Sequence, residues 1–270
     1  MSEKKEQKKR AILVVSFGTS YTQTRKRTID QIEEDIHAAY PSYPLYRAWT
    51  SGMIRKKIEK RDGIRIFDVT EAMEQMRRDG IEEVIVQPTH VLNGIENEQM
   101  TADVLAYRDQ FAQIVIGAPL LTSQEDSDRA VRVIGEELAL AEDEALVLMG
   151  HGTPHYANAI YAALDYQFKD EGYPNIFIGT VEAYPAFESL LRRVEAFGPK
   201  RIIVAPFMIV AGDHATNDLA GDGEDSWKSR FEAAGYEVKC VLKGLGEYPG
   251  IRKLFLEHAA EAIRKLESVS

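Results

Sequence analysis

Two histidines and a glutamate in the second half of the chain each follow an apolar run, at the point where that run ends. His151 lies between two glycines after the first run, Glu182 closes the second, and His214 follows the third after a further apolar stretch. Imidazole nitrogens and a carboxylate suit a borderline divalent ion such as Co²⁺, Fe²⁺ or Zn²⁺, with coordination positions left for another molecule. The runs are 145–149, 176–181 and 202–205.

Each of these residues, taken singly, also fits a structural role. A loop histidine between glycines can be satisfied by backbone hydrogen bonds, and a carboxylate at a strand end is commonly a helix cap or a surface charge. The segment around His214 resembles the start of a helix. The conjunction favours a metal site, because all three residues follow strands of one predicted sheet. His155 is expected beside the site or at the surface, since Pro154 disfavours a helix that would make it a fourth ligand.

The chain repeats itself, and the candidate ligands occur as a set only in the second copy. The repeated segments are 11–19 with 145–153, 85–96 with 203–214, and, more loosely, 43–50 with 173–182. The corresponding positions are Phe17 and His151, Glu96 and His214, and Thr50 and Glu182. The sequence therefore predicts that the second copy holds the metal and that the first faces it across a cleft.

Short β-branched runs alternate with amphipathic stretches along both copies. Runs that are apolar throughout indicate parallel strands buried on both faces, and the stretches between them indicate crossover helices. Strands are predicted at 11–16, 45–49, 84–87, 114–117, 145–149, 175–179, 202–205 and 237–241. Helices are predicted at 22–39, 72–78, 98–111, 125–141, 158–170, 186–197, 227–234 and 251–266.

These elements predict an α/β fold of two similar domains, each with a four-stranded parallel sheet flanked by helices, and a ligand cleft between them. The predicted domains are residues 1–122 and 123–270, and the terminal helix 251–266 could pack on either one. Ligands of open α/β sheets bind at the carboxyl ends of the strands. First-domain residues expected in the cleft are Phe17, Gly18, Thr19, His90 and Glu96.

Composition limits the kinds of partner. A net charge of −10 over 270 residues argues against nucleic acid and anionic membranes as binding partners. A small anionic ligand stays possible in a locally basic cleft. No apolar run approaches the roughly 20 residues that span a bilayer, and the polar N-terminus is no secretory signal, so a cytoplasmic protein is expected. The single cysteine, Cys240, is expected to be a small buried residue, and His37 and His258 to lie at the surface or its boundary.

Five motifs together resemble those of the class II tetrapyrrole chelatases, specifically the anaerobic sirohydrochlorin cobalt chelatases of cobalamin biosynthesis. They are Ser16-Phe17-Gly18-Thr19-Ser20, Gln87-Pro88-Thr89-His90, Gly150-His151-Gly152-Thr153, Gly179 to Pro185, and Ala211 to Asp218. The resemblance implies two α/β domains around a macrocycle, metal binding by His151, Glu182 and His214, and a terminal helix that packs toward the first domain. The resemblance also raises the question whether haem binds near His90, which the sequence leaves open.

The predicted reaction is insertion of a divalent metal, Co²⁺ first and Fe²⁺ second, into sirohydrochlorin, with no cofactor beyond the metal substrate. His151 and Glu182 are the expected catalytic residues, because each can bind the ion and accept a pyrrole proton. Two alternatives stay open: a ferrochelatase acting on sirohydrochlorin or protoporphyrin, and a carrier that binds metal or tetrapyrrole without chemistry. A homo-oligomer is also compatible with the sequence.

Overall fold

A computed structural model describes residues 8–138 and 140–269, and these form two four-stranded parallel sheets. The first has the strand order β2-β1-β3-β4 and the second β6-β5-β7-β8, so one topology occurs twice, as predicted. The strands are β1 (Arg10–Ser16), β2 (Leu45–Trp49), β3 (Glu83–Pro88), β4 (Gln113–Ile116), β5 (Glu144–Gly150), β6 (Ile176–Thr180), β7 (Arg201–Pro206) and β8 (Glu237–Cys240). The predicted boundary between residues 122 and 123 stays a prediction.

Helices connect the strands, and several differ from the prediction. They are α1 (Thr22–Arg27), α2 (Ile29–Ala39), α3 (Gly52–Asp62), α4 (Val69–Arg78), α5 (Ile95–Leu105), α6 (Gln124–Glu137), α7 (Ala159–Asp170), α8 (Phe187–Phe197), α9 (Trp227–Ala233) and α10 (Pro249–Val269). The single helix predicted over 22–39 was wrong, because the backbone of Thr28 leaves the helical region and its hydroxyl donates to the carbonyl of Thr24. Helix α3 was not predicted. Within residues 8–138 and 140–269, every helix is too short or too polar to span a bilayer.

Alternate residues of the central strands pack into different layers. In β1, Ile12 and Val14 join a buried cluster that also contains Leu146 and Leu148 of β5 and side chains of α2, α6, α7 and α10. The intervening residues of β1 pack outward against α4 and α5, and those of β5 against α8 and α9. Both sheets therefore share one inner helical layer, and each has its own outer layer.

The strand register corrects one of the predicted repeat pairings. The amide of Ser51 donates to the carbonyl of Phe17 at 3.2 Å, and the amide of Glu182 donates to the carbonyl of His151 at 3.0 Å. These bonds are equivalent in the two copies, so the counterpart of Glu182 is Ser51. The pairing of Thr50 with Glu182 was wrong by one residue, because the segments before β2 and β6 differ in length.

Helix α10 packs against β3, β4 and α2, so the end of the chain covers the first sheet. Its His258 is buried, whereas its amphipathic pattern predicted a position at the surface or its boundary. Nε2 of His258 lies 2.8 Å from the carboxylate of Asp126, and Nδ1 lies 3.2 Å from the carbonyl of Ala118. These two contacts hold the ring of His258 between α6 and the segment after β4. Cys240 is partly exposed, where a buried position was expected.

Replacing Asp126 with Asn is expected to lower the free energy of unfolding by about 1–3 kcal/mol at pH 7, because the amides of Thr122 and Ser123 and the ring of His258 lose a buried carboxylate partner. Burial raises the pKa of Asp126, but hydrogen bonds from Ser123 and His258 outweigh it and hold that pKa below its usual value. The stabilisation is therefore present above the ordinary aspartate pKa of about 4 and is lost as pH falls through the lowered value.

Urea unfolding of both proteins between pH 7 and pH 3 measures this difference. The exposed neighbour change Glu125→Gln is the matched control and is expected to have little effect. A constant difference between wild type and Asp126→Asn over the whole pH range would contradict the assignment.

Candidate metal centre

A cleft of about 420 Å³ lies between the carboxyl ends of the two sheets. Residues that follow β1, β3, β5 and β7 line it, together with the first turns of α3. Its volume is within the range of about 300–1,000 Å³ that is typical of small-molecule sites. The strand ends thus converge where the topology predicts a ligand.

His151 is presented by a glycine turn directly after β5. Gly152 has φ +88°, and a Cβ there would lie 2.8 Å from the backbone nitrogen of Ala183, so a larger residue is excluded. A Cβ on Gly150 would meet the ring of Tyr161 at 2.4 Å. Nδ1 of His151 lies 2.8 Å from the carbonyl oxygen of Gly152 and donates to it. The lone pair is therefore on Nε2, which is free to bind a metal ion.

Glu182 is attached to the same turn from the neighbouring strand. Its amide donates to the carbonyl of His151, and its carboxylate Oε2 lies 3.8 Å from Nδ1 of that histidine. The side chain is 53% exposed, so the carboxylate can move toward an ion at little cost. Its position is set by the β5–β6 register, in which Gly150 lies beside Thr180.

His214 reaches the same place from the segment after β7. Its ring meets the ring of His151 edge-on, with centroids 4.7 Å apart. A five-residue π-helix, Ala215–Leu219, follows and carries Asp218, whose Oδ2 lies 2.6 Å from Nδ1 of His214. The carboxylate accepts from Nδ1, which again leaves the lone pair on Nε2. An outer carboxylate that orients a histidine is common at metal sites, and so are π-helical turns at functional sites.

The three predicted ligands are therefore brought together. One ligand atom from each of His151, Glu182 and His214 lies within 4.8 Å of the others. Ligands that share one ion at about 2.1 Å lie roughly 3–4 Å apart, so small side-chain rotations complete the set. Two neutral imidazoles and one carboxylate fit a borderline divalent ion and leave positions for a macrocycle.

His155 is not one of the three candidate ligands but connects the two halves of the chain. Its Nδ1 accepts from the amide of Ala157, so Nε2 carries the hydrogen and donates to Glu98 at 3.2 Å. Glu98 is in the first turn of α5, on the opposite side of the cleft. The prediction that His155 lies beside the site or at the surface stays a prediction, and its contact with Glu98 was not indicated by the sequence.

The five residues of the first half that were predicted to lie in the cleft all line it, but their side chains differ in chemistry. They are Phe17, Gly18, Thr19, His90 and Glu96. Phe17 is 46% exposed and presents an aromatic face, Glu96 is exposed, and Thr19 is almost wholly buried. Gly18 has φ +103°, and a Cβ there would lie 2.6 Å from the Trp49 ring. These positions suit contact with a flat ligand.

His90 is more enclosed than the other four. Burial lowers its pKa although Asn97 hydrogen-bonds to Nδ1, so the ring is neutral at pH 7. Its Nε2 is closed to solvent and has no partner within the described part of the chain. The expected contact of His90 with a ligand stays a prediction.

Residues of α3 and the partner of His214 were not identified from the sequence as parts of the site. Met53, Ile54 and Lys57 of α3 line the cleft, but α3 has too little apolar periodicity to predict. Asp218 was interpreted mainly as part of a helix start and a solvated acidic run, although its spacing of four residues from His214 is a usable signal.

Asp218→Asn is expected to weaken Co²⁺ binding about 10- to 100-fold, because an amide no longer fixes the Nδ1–H form of His214. Isothermal titration with Co²⁺ measures the affinity, and thermal unfolding checks the fold. Asp222→Asn, at a fully solvated carboxylate in the same acidic run, is the control and should bind Co²⁺ as wild type does. Equal affinities for all three proteins would mean that Asp218 does not orient the ligand.

Known proteins are similar to this chain over most of its length. A sirohydrochlorin cobaltochelatase of Salmonella typhimurium is 40% identical over 256 residues, covering 94% of this chain and 97% of the relative. The sirohydrochlorin cobaltochelatase CbiKC of Nitratidesulfovibrio vulgaris is 33% identical over 267 residues, covering 96% and 92%. The structure of SirB from Bacillus subtilis with Fe³⁺ has the same fold, with a TM-score of 0.65 at 13% identity over 96% of this chain and 98% of that one.

The family described as cobalt chelatase (CbiK) matches residues 10–264, which is nearly the whole described chain. The resemblance seen in the sequence motifs is thereby confirmed. This chain belongs to the cobalt chelatase (CbiK) family.

Proposed function

We propose that this protein inserts Co²⁺ into sirohydrochlorin, the metal-insertion step of cobalamin biosynthesis. Membership of the cobalt chelatase family and 40% identity to a sirohydrochlorin cobaltochelatase support the activity. The observation that carries the proposal is the meeting of His151, Glu182 and His214 at a cleft that Phe17 lines from the other half.

The net reaction exchanges the metal for two pyrrole protons. Both histidines present Nε2 lone pairs, because Gly152 and Asp218 accept from their Nδ1 atoms. His151 and His214 deliver the ion to the ring, and Glu182 reduces its positive charge during the transfer. As the ring nitrogens take over the ion, Nε2 of His151 and the carboxylate of Glu182 become free to accept the two released protons.

The remaining lining suits the macrocycle itself. Phe17, Met208, Ile209 and Val210 offer apolar surface on either side of the cleft. Burying such surface against a flat ring contributes about 25 cal/mol per Å². The reaction needs no electron transfer and no nucleotide, so we propose no cofactor beyond the metal substrate. Activity in the cytoplasm and a homo-oligomeric state stay predictions.

An anaerobic assay with sirohydrochlorin and Co²⁺ tests the function by the change in absorption over the rate without protein. We expect catalysed insertion that His151→Ala abolishes with unchanged circular dichroism, because a side chain between two glycines contributes little packing. Fe²⁺ and protoporphyrin are tested in parallel, since the ligand set does not by itself choose Co²⁺ over Fe²⁺.

Three outcomes would contradict the proposal. Faster insertion of Fe²⁺ than of Co²⁺ would favour the ferrochelatase hypothesis. Tight binding of tetrapyrrole and metal without faster insertion would favour a carrier. Activity of His151→Ala within a few-fold of wild type would remove His151 from the reaction.

The two halves are expected to divide the binding of the two substrates. Phe17→Ala should weaken binding of sirohydrochlorin by about 1–3 kcal/mol, through lost apolar contact, and leave Co²⁺ affinity unchanged. His214→Ala should lose Co²⁺ binding and still bind the tetrapyrrole. Separate titrations with each substrate measure both affinities. A loss of Co²⁺ affinity in Phe17→Ala as large as that in His214→Ala would show that the halves share the metal.

A further inference from the structure

We propose that Lys57 is a specificity-determining residue of the cleft, which binds a peripheral carboxylate of the tetrapyrrole. This inference rests on the proposed function and deepens it. It names the side chain that distinguishes tetrapyrroles by the carboxylates at the periphery of the ring.

Lys57 is the only lysine or arginine that lines the cleft within residues 8–138 and 140–269. The other charged residues of the lining are the carboxylates Glu96 and Asp213, beside several histidines. The whole protein carries a net charge of −10. A ligand with many carboxylates is therefore repelled by most of this molecule, and among the described residues Lys57 is the one ammonium or guanidinium group that the cleft offers it.

The ammonium group of Lys57 is available. No hydrogen bond or ion pair of its side chain occurs with the described residues, and the side chain is exposed. Two arginines of the same helix are already engaged, Arg55 with Asp68 at 3.0 Å and Arg61 with Asp62 at 2.6 Å. Lys57 can therefore bind a ligand without first breaking an internal ion pair.

Helix α3 holds Lys57 in a fixed relation to Phe17. The neighbouring Ile58 is buried against Trp49, and the ion pairs of Arg55 fasten α3 to the start of α4. The amide of Ser51, which caps the helix, donates to the carbonyl of Phe17. Met53 and Lys57 are four residues apart and lie along the same wall of the cleft.

The strand order places Lys57 and Glu96, which carry opposite charges, on opposite sides of Phe17. Lys57 follows β2 and Glu96 follows β3, while β1, which ends beside Phe17, lies between them. A macrocycle packed on Phe17 thus has an attractive group on the β2 side and a repulsive one on the β3 side. This asymmetry favours one orientation, with a carboxylate directed to Lys57.

The chemistry of the two tetrapyrroles explains why this contact discriminates. Sirohydrochlorin carries acetate and propionate groups around its whole rim, whereas protoporphyrin carries carboxylates along one edge and apolar groups elsewhere. A ring bound with its carboxylated edge away from α3 leaves Lys57 unpaired. Specificity is the difference in affinity between the two ligands, so one such contact favours the fully carboxylated ring.

Lys57→Gln tests the proposal in the anaerobic Co²⁺ insertion assay. We expect KM for sirohydrochlorin to rise about fivefold, with kcat within about twofold of wild type, because a contact common to ground and transition states is removed. Lys57→Arg should restore the wild-type KM. Lys56→Gln is the matched control, since Lys56 is exposed on the same helix but does not line the cleft.

Fluorescence titration of metal-free sirohydrochlorin and its methyl esters supplies a second readout that needs no catalysis. Lys57→Gln should weaken binding of the free acid and leave binding of the esters unchanged. The proposal is overturned if Lys57→Gln binds the free acid like wild type, if Lys56→Gln raises KM equally, or if ester binding falls as much. A wild type that binds sirohydrochlorin without inserting Co²⁺ would refute the proposed function, while the titration would still decide the role of Lys57.

Discussion

The shared apolar layer between the two sheets is the contact on which the site depends. Ile12 and Val14 of the first sheet lie in the same buried cluster as Leu146 and Leu148 of the second. Each fully buried side chain of this kind stabilises the fold by about 1.5–3 kcal/mol. Because this layer joins the sheets, it also fixes how their strand ends face each other. The distance between Phe17 and the metal ligands is thus a property of the core more than of the loops.

The two copies keep the same backbone and differ in the side chains at its ends. Equivalent amide–carbonyl bonds join Ser51 to Phe17 and Glu182 to His151. One copy therefore has an aromatic ring and a helix cap where the other has two of the proposed metal ligands. Substitution at a few strand ends suffices to give two faces of one cleft different chemistry, since the scaffold that positions them is unchanged.

Much of this arrangement could be predicted from the sequence, because it depends on local patterns. Apolar runs gave the strands, the internal repeat gave the two sheets, and parallel strands bring His151, Glu182 and His214 to one edge. Features that depend on tertiary partners could not be predicted. Helix α3 buries fully only Ile58 and is otherwise rich in basic residues. His258 is buried against Asp126 and Ala118, which are distant in sequence.

Helix α10 has a consequence for how the molecule folds. It covers β3 and β4 of the first sheet, yet it follows the entire second sheet in the chain. Helix α2 belongs to the first half and joins the same inner layer, but during synthesis the inner face over β3 and β4 lacks α10 until the second half has been made. Contacts between such distant segments form slowly. Until they form, the apolar surface that they will bury stays exposed. The two halves repeat each other in structure, but the first is completed only by the last helix of the second.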